Sequence, residues 1–290
     1  MFGDLALNGI AVGCVYSLIA LGFVLIYKAT GILNFAQGDL MMIGGFLGLT
    51  AIGIWGLPYW LGFAFAVVAT AALGYLLDAV VFRRAMGQPE FALIMLTLGL
   101  GYVLRTLAAV VPGWGTQPQR FPTPFDDKTI EFAGIPLSEE RLAIIIATLV
   151  LMIALYLFFR FSKLGVAMQA TAQNTTAASL VGIPVKTIYS LVWALGAGIA
   201  AVAGVLIAPI TFVHPGMGYV GLYAFPAAVL GGFGSIPGAI VGGLIIGLLE
   251  VASGFYLSEV VKNSAPYLVL LLVLFIKPSG LMGVALQRKV

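Results

Sequence analysis

The sequence predicts an all-α, polytopic integral membrane protein, and three observations carry that prediction. Of its 290 residues, 61% are hydrophobic and only 9% charged, whereas soluble domains carry about 25% charged residues. The apolar runs are long and uninterrupted, with a mean hydropathy of +1.11, unlike the weak alternating segments of about ten residues that mark a membrane barrel. The 37 glycines suit close helix packing and broken helices. The expectation is one transmembrane domain over 1–290, with about eight or nine spanning or half-spanning helices, some broken or re-entrant. The net charge of +3 and pI near 9.0 come from Lys and Arg scattered at span ends, which reads as a topology signal and not as a nucleic-acid surface. Cys14 is the only cysteine, which excludes an intrachain disulfide and a cysteine metal cluster.

The first apolar run, 5–27, ends at Lys28. The segment before it lacks the basic region and cleavage pattern of a signal peptide, so it reads as a retained span. A short run, 35–52, is entered through Asn34, Gln37 and Asp39. Span 58–82 is stopped by Arg83-Arg84, and 91–111 follows. Segment 112–140 is a polar excursion rich in Pro and Gly, with a hairpin expected from 129–132 and 135–137 around Ala133-Gly134. Ser138, Glu139 and Glu140 then form a capping signal for span 141–159.

Segment 160–186, RFSKLGVAMQATAQNTTAASLVGIPVK, carries Lys and Arg but no Asp or Glu. Its middle is rich in helix formers, and Gly182-Ile183-Pro184 is a stop signal. Composition alone fits either a plain connector or a short helix that plugs into a soluble partner. Span 187–208 leads to a second excursion, 209–221, holding His214, which reads as a loop residue. Run 222–235 is about 21 Å long as a helix, too short for a hydrocarbon core of about 30 Å. It breaks at Gly231-Gly232, and 238–257 and 265–277 complete the set. The tetrads starting at Gly44 and Gly231 suggest corresponding breaks in two halves of the chain.

With the N-terminus outside, Lys28, Arg83, Arg84, Arg160, Lys163, Lys186, Lys277, Arg288 and Lys289 fall on the cytoplasmic side. Arg120, Lys128, Arg141 and Lys262 fall outside, beside the outer acids Asp126, Asp127, Glu131, Glu139 and Glu140. That asymmetry predicts an external N-terminus, a cytoplasmic C-terminus, a cytoplasmic segment 160–186 and an external segment 112–140.

Charges inside the spans are the candidate functional residues. Arg105 and Glu250 each lie about 9–10 Å from the outer end of their runs at 1.5 Å per residue, and equal depth favours an ion pair. The alternative leaves Arg105 snorkelling and Glu250 protonated or hydrated. Asp78 lies too near the cytoplasmic end to serve. Asn34, Gln37 and Asp39 read either as helix caps or as the lining of a path near its cytoplasmic mouth, together with Gly231 and Gly232. No catalytic or metal constellation is legible, and no phosphate loop of the form GxxxxGK[ST] occurs.

Several stretches together resemble one family. Residues 8–22 (NGIAVGCVYSLIALG), 31–39 (GILNFAQGD), 222–243 (LYAFPAAVLGGFGSIPGAIVGG) and 277–283 (KPSGLMG) are similar to Liv-type permeases, the membrane subunits of branched-chain amino-acid ABC importers. Permeases of ABC importers share a loop of the form Glu-Ala-Ala, three residues, then Gly, which docks on the ATPase. Here Ala177, Ala178 and Gly182 hold that spacing, with Thr176 in the Glu position. The resemblance implies an inner-membrane subunit with no cofactor of its own, no enzymatic site and no nucleic-acid partner. It also implies a second, similar permease, two ATP-binding subunits that hold ATP and Mg, and an extracytoplasmic substrate-binding protein. Related permeases carry urea, short amides or aromatic acids. A channel or ion-driven secondary transporter using Asp39, Asp78 or Glu250 is the competing reading, and a membrane enzyme would need a clustered site.

Overall fold

The computed structural model describes residues 2–125, 129–132 and 135–283. The sequence expectations for Asp126, Asp127, Lys128, the Ala133-Gly134 turn, Arg288 and Lys289 lie outside the described residues. Among the described residues, eight helical stretches are long and apolar enough to cross a membrane: Gly3–Thr30, Gln37–Ile54, Tyr59–Ala85, Glu90–Val110, Glu139–Phe161, Val185–Thr211, Ile236–Tyr256 and Glu259–Ile276.

In chain order the helices are α1 (Phe2–Thr30), α2 (Gln37–Leu49, prolonged by a π-turn Thr50–Ile54), α3 (Tyr59–Leu77, with a π-turn Asp78–Phe82 leading into α4, Arg83–Ala85) and α5 (Glu90–Val110). The hairpin β1 (Thr129–Phe132) and β2 (Ile135–Ser138) precedes α6 (Glu139–Phe161). Then come α7 (Lys163–Gln173), α8 (Thr175–Leu180), α9 (Val185–Thr211), α10 (Val220–Gly231), α11 (Ile236–Tyr256) and α12 (Glu259–Ile276). The hairpin is antiparallel, with Thr129 opposite Ser138, so the alternating pattern at 129–137 was legible. Ser138 takes the N-cap position of α6 but makes no side-chain cap bond.

The buried centre is α1, α2 and α9, while α3, α5, α6 and α12 expose most of their surface. Small residues set that arrangement. Gly9, Gly13 and Ser17 recur every fourth residue on one face of α1 and meet Leu248, Leu244 and Gly243 of antiparallel α11. A Cβ on Gly13 would lie 2.8 Å from the Leu244 Cα, so the backbones pack at a distance only glycine permits, and Ser17 Oγ donates across the seam to the Ile240 carbonyl at 2.9 Å. Against the other side of the core, the Phe82 ring stacks on Trp193 of α9, with centroids 4.1 Å apart.

Two crossings are broken. The chain leaves α1 at Thr30 and runs through residues 31–36 without helix before α2 begins. It leaves α9 at Thr211, passes Phe212 at φ 60 and a 3₁₀ turn, Pro215–Tyr219, and only then enters the 12-residue α10. Backbone groups freed inside hydrocarbon need protein partners, and side chains of neighbouring helices supply several of them. Thr97 Oγ1 donates to the Leu33 carbonyl at 3.2 Å and receives the Phe35 N–H at 3.3 Å. Pro226 removes an N–H from the middle of α10, and Tyr267 Oη of α12 donates to the Leu222 carbonyl one turn earlier, at 3.1 Å.

These breaks correct the suggested repeat. Gly44 lies inside a continuous α2, packed on Ala201, whereas Gly231 ends α10 against Gly238. The expected break at Gly231 is present, where α10 ends, but it has no counterpart at Gly44; further discontinuities lie at 31–36 and 212–219, ahead of α2 and α10.

Candidate functional site

The two broken helices meet head to head. α2 runs parallel to α9, with Gln37 near Gly196 and Gly48 near Val205, whereas α10 runs the opposite way. The first turn of α2 abuts the 3₁₀ turn and the first turn of α10, where Gly38 packs directly on Gly218 and Gly221. Both helix N-termini therefore bring positive dipole ends to one place.

Asp39 sits there, 1% exposed. Arg105 of α5 reaches it, with Nε 2.5 Å from Oδ1 and Nη2 3.3 Å from Oδ2. Cβ atoms added to Gly101 and Gly218 would strike the two carboxylate oxygens, so these glycines form the slot that holds the carboxylate. The guanidinium also lies over the half-exposed Tyr219 ring, 4.0 Å from its centroid, a placement worth about 0.5–1 kcal/mol. Asn34 and Gln37 complete the junction. Asn34 Nδ2 donates to Gln37 Oε1, its Oδ1 accepts from the Ala36 N–H, and Gln37 Nε2 donates to the Gly196 carbonyl at 2.9 Å. All three polar side chains are buried.

This overturns the pairing of Arg105 with Glu250. Equal depth holds only when measured from span ends, but α2 starts deep in the bundle, and Asp39 reaches Arg105 first. Glu250 instead accepts from Tyr16 Oη at 2.5 Å and has Lys262 Nζ at 4.0 Å. Asp78 accepts from Ser190 Oγ at 2.6 Å, and Ser190 accepts from Arg83 at 2.6 Å, tying α3 to α9.

Asn34, Gln37 and Asp39 therefore form a packed junction within the span and not the lining of a mouth. Gly231 and Gly232 are corrected likewise. They make the buried turn between α10 and α11, and the chain's last described segment closes over them. Leu281 N–H donates to the Leu230 carbonyl and Met282 N–H to the Gly231 carbonyl. Gly232, at φ 96, would strike Gly283 with any side chain.

The 160–186 segment folds into two short capped helices between α6 and α9. Ser162 Oγ caps α7 through the Gly165 N–H, and Asn174 Oδ1 caps α8 through the Ala177 N–H. α8 closes with a two-bond glycine motif, Ile183 N–H to the Ala178 carbonyl and Gly182 N–H to the Ser179 carbonyl, with Gly182 at φ 85. Thr176 and Ala177 face outward. Ala178 is 3% exposed, so its expected role as a contact residue is corrected: it packs α8 onto its own protein. Leu180 and Val181, which sequence reasoning passed over, are 84% and 77% exposed.

The comparisons with known proteins agree with this architecture. A solved structure titled PsaBC from Streptococcus pneumoniae in complex with Fab shares the fold, with a TM-score of 0.53 at 13% identity over 94% of this chain and 91% of that one. The high-affinity branched-chain amino acid transport system permease protein LivH of Escherichia coli (strain K12) is 34% identical, covering 95% of this chain and 94% of its own. Protein BraD of Pseudomonas aeruginosa, which carries the same description, is 33% identical over the same shares. Residues 5–277 match the family described as branched-chain amino acid transport system, permease component, and the chain is a multi-pass membrane protein belonging to that family.

Proposed function

We propose that the protein is the permease subunit of a binding-protein-dependent ABC importer for branched-chain amino acids, forming half of a path that alternates between outward and inward access. Family membership over 5–277 carries the reading, and the shape of α7 and α8 supports it. A capped helix that ends in a left-handed glycine and presents Leu180 and Val181 fits insertion into a groove on a soluble ATPase. In this reading the α7–α8 end is cytoplasmic, the hairpin end is external and the membrane is the inner one. A second permease, two ATPase subunits holding ATP and Mg, and an external binding protein complete the assembly.

The secondary-transporter alternative draws on intramembrane carboxylates, but Asp39, Asp78 and Glu250 each have a bonded partner. The importer reading is tested by purifying the chain with its ATPase subunits and measuring leucine uptake into liposomes with external binding protein. ATP-dependent uptake of leucine is expected. Uptake driven by an ion gradient without ATPase subunits overturns it, and ATP-dependent uptake of urea, an amide or an aromatic acid in place of leucine overturns the substrate.

A further inference from the structure

A second polar locus lies away from the Asp39 junction. A groove of about 720 Å³ opens at the hairpin end of the bundle, bounded by α1, α6, α9, α11, α12 and the first turns of α10, within the range of about 300–1,000 Å³ usual for small-molecule sites. We infer that this groove is an entry subsite for a zwitterionic amino acid with a branched aliphatic side chain. The inference rests on the importer reading and adds to it a location and a set of contacts.

The chemistry matches the ligand part by part. Glu250 lines the groove and is 9% exposed. Its Oε2 is occupied by Tyr16 Oη at 2.5 Å, but Oε1 has only Lys262 Nζ at 4.0 Å, beyond hydrogen-bond reach. Oε1 therefore keeps an open acceptor position toward the groove, and an α-ammonium group supplies donors and a charge of the right sign. Arg141, Lys262 and a second acid, Glu259, line the same groove; with Lys262 beside Glu250, Arg141 is the cation that supplies donors for the α-carboxylate. Val12 of α1 and Ile207 of α9 are among its aliphatic walls, suited to an isobutyl or isopropyl group. A zwitterion entering low dielectric needs both charges met, and this groove offers both signs beside an apolar wall.

The position also connects to the junction. Val220 and Tyr223 of α10 border the groove, and the residue before Val220 is Tyr219, whose ring lies against Arg105. A ligand in the groove therefore touches the helix start that abuts the Asp39–Arg105 pair.

The test uses the assembled transporter in liposomes, with Cys14→Ala and Val251→Cys introduced so that a thiol faces the groove. L-leucine in excess is expected to slow alkylation of that thiol at least fivefold, whereas 4-methylpentanoate, which lacks the amine, and isopentylamine, which lacks the carboxylate, leave the rate unchanged. In a second arm, Glu250→Gln is expected to raise the KM for leucine uptake about tenfold in preparations matched for assembled complex. If that variant fails to assemble, the alkylation arm, which keeps Glu250, decides. Leucine uptake with no protection of the thiol overturns this inference and leaves the importer reading intact. Equal protection by all three compounds also overturns it, because recognition is then only apolar. Absence of leucine uptake by the unaltered complex overturns the importer reading itself.

Discussion

Arg105 Nε lies 2.5 Å from Asp39 Oδ1, joining α5 to the first turn of α2 where α2 and α10 meet head to head. Two helix N-termini and a guanidinium face one carboxylate, which sits in a slot walled by Gly101 and Gly218. The arrangement neutralises two charges that would each cost roughly 2.5–3.5 kcal/mol alone in hydrocarbon. It also pins together the starts of both discontinuous helices.

Removing one member of this pair strands the other. Asp39→Asn or Arg105→Gln is expected to cost about 3–5 kcal/mol and to abolish most transport. The double variant should be no worse than the worse single one, because nothing unpaired remains. Thermal unfolding of the four proteins in detergent measures this. Glu250→Arg should give no rescue of Arg105→Glu, and recovery in that swap would restore the Arg105–Glu250 pairing.

The glycine slot makes a separate claim. Gly218→Ala adds a single methyl that strikes Asp39 Oδ1, so its damage to transport should approach that of Asp39→Asn. Gly99→Ala, on the same helix as Gly101 but with open space at its Cβ, should behave as the unaltered protein. Uptake assays on both variants provide the comparison.

At the α8 end, Leu180→Arg and Val181→Arg should leave the permease inserted and folded, because both side chains are exposed. They should lower substrate-stimulated ATP hydrolysis at least tenfold. Ala178→Arg is a poorer probe, since it forces a charge under α8. Gly182→Ala should weaken the α8 terminus by about 1–2 kcal/mol through its left-handed backbone. Unchanged stimulated hydrolysis in the assembled Leu180 and Val181 variants would sink the docking assignment.

Topology is open to thiol labelling in a Cys14→Ala background. Gly115 has φ 73 and Asn174 caps α8, so cysteines belong at their exposed neighbours Thr116 and Gln173. An impermeant reagent added outside should modify the first and spare the second. The reverse pattern inverts the orientation.

Purified permease without its binding protein should bind leucine only weakly. The Asp39 junction is closed by its own side chains, and the Glu250 groove is open on one side, so a bound zwitterion stays partly hydrated. Calorimetry returning micromolar affinity for the permease alone would contradict this and favour a self-sufficient transporter.

Hydrophobic run length, span order, the hairpin at 129–137 and the helical character of 160–186 were all determined by the sequence, because each is a local property of composition, periodicity and caps, whereas the split of that segment into two helices at Asn174 appears only in the structure. The stop at Gly182 was legible for the same reason, since few residues other than glycine accept its backbone angle. Which charge meets which was decided only in three dimensions. Depth counted along a run assumes that every run starts at the membrane edge, and residues 31–36 break that assumption by carrying the chain inward before α2 begins. Gly101 lies one turn from Arg105 on α5, and that spacing was the available hint of a slot. Its counterpart Gly218 is separated from Asp39 by most of the chain, and only the packing of two helix starts against each other brings them together. Ala178 and Leu180 differ in exposure for a similar reason: the stop signal shows where α8 ends, but the face it buries is chosen by α7 and α9 beneath it.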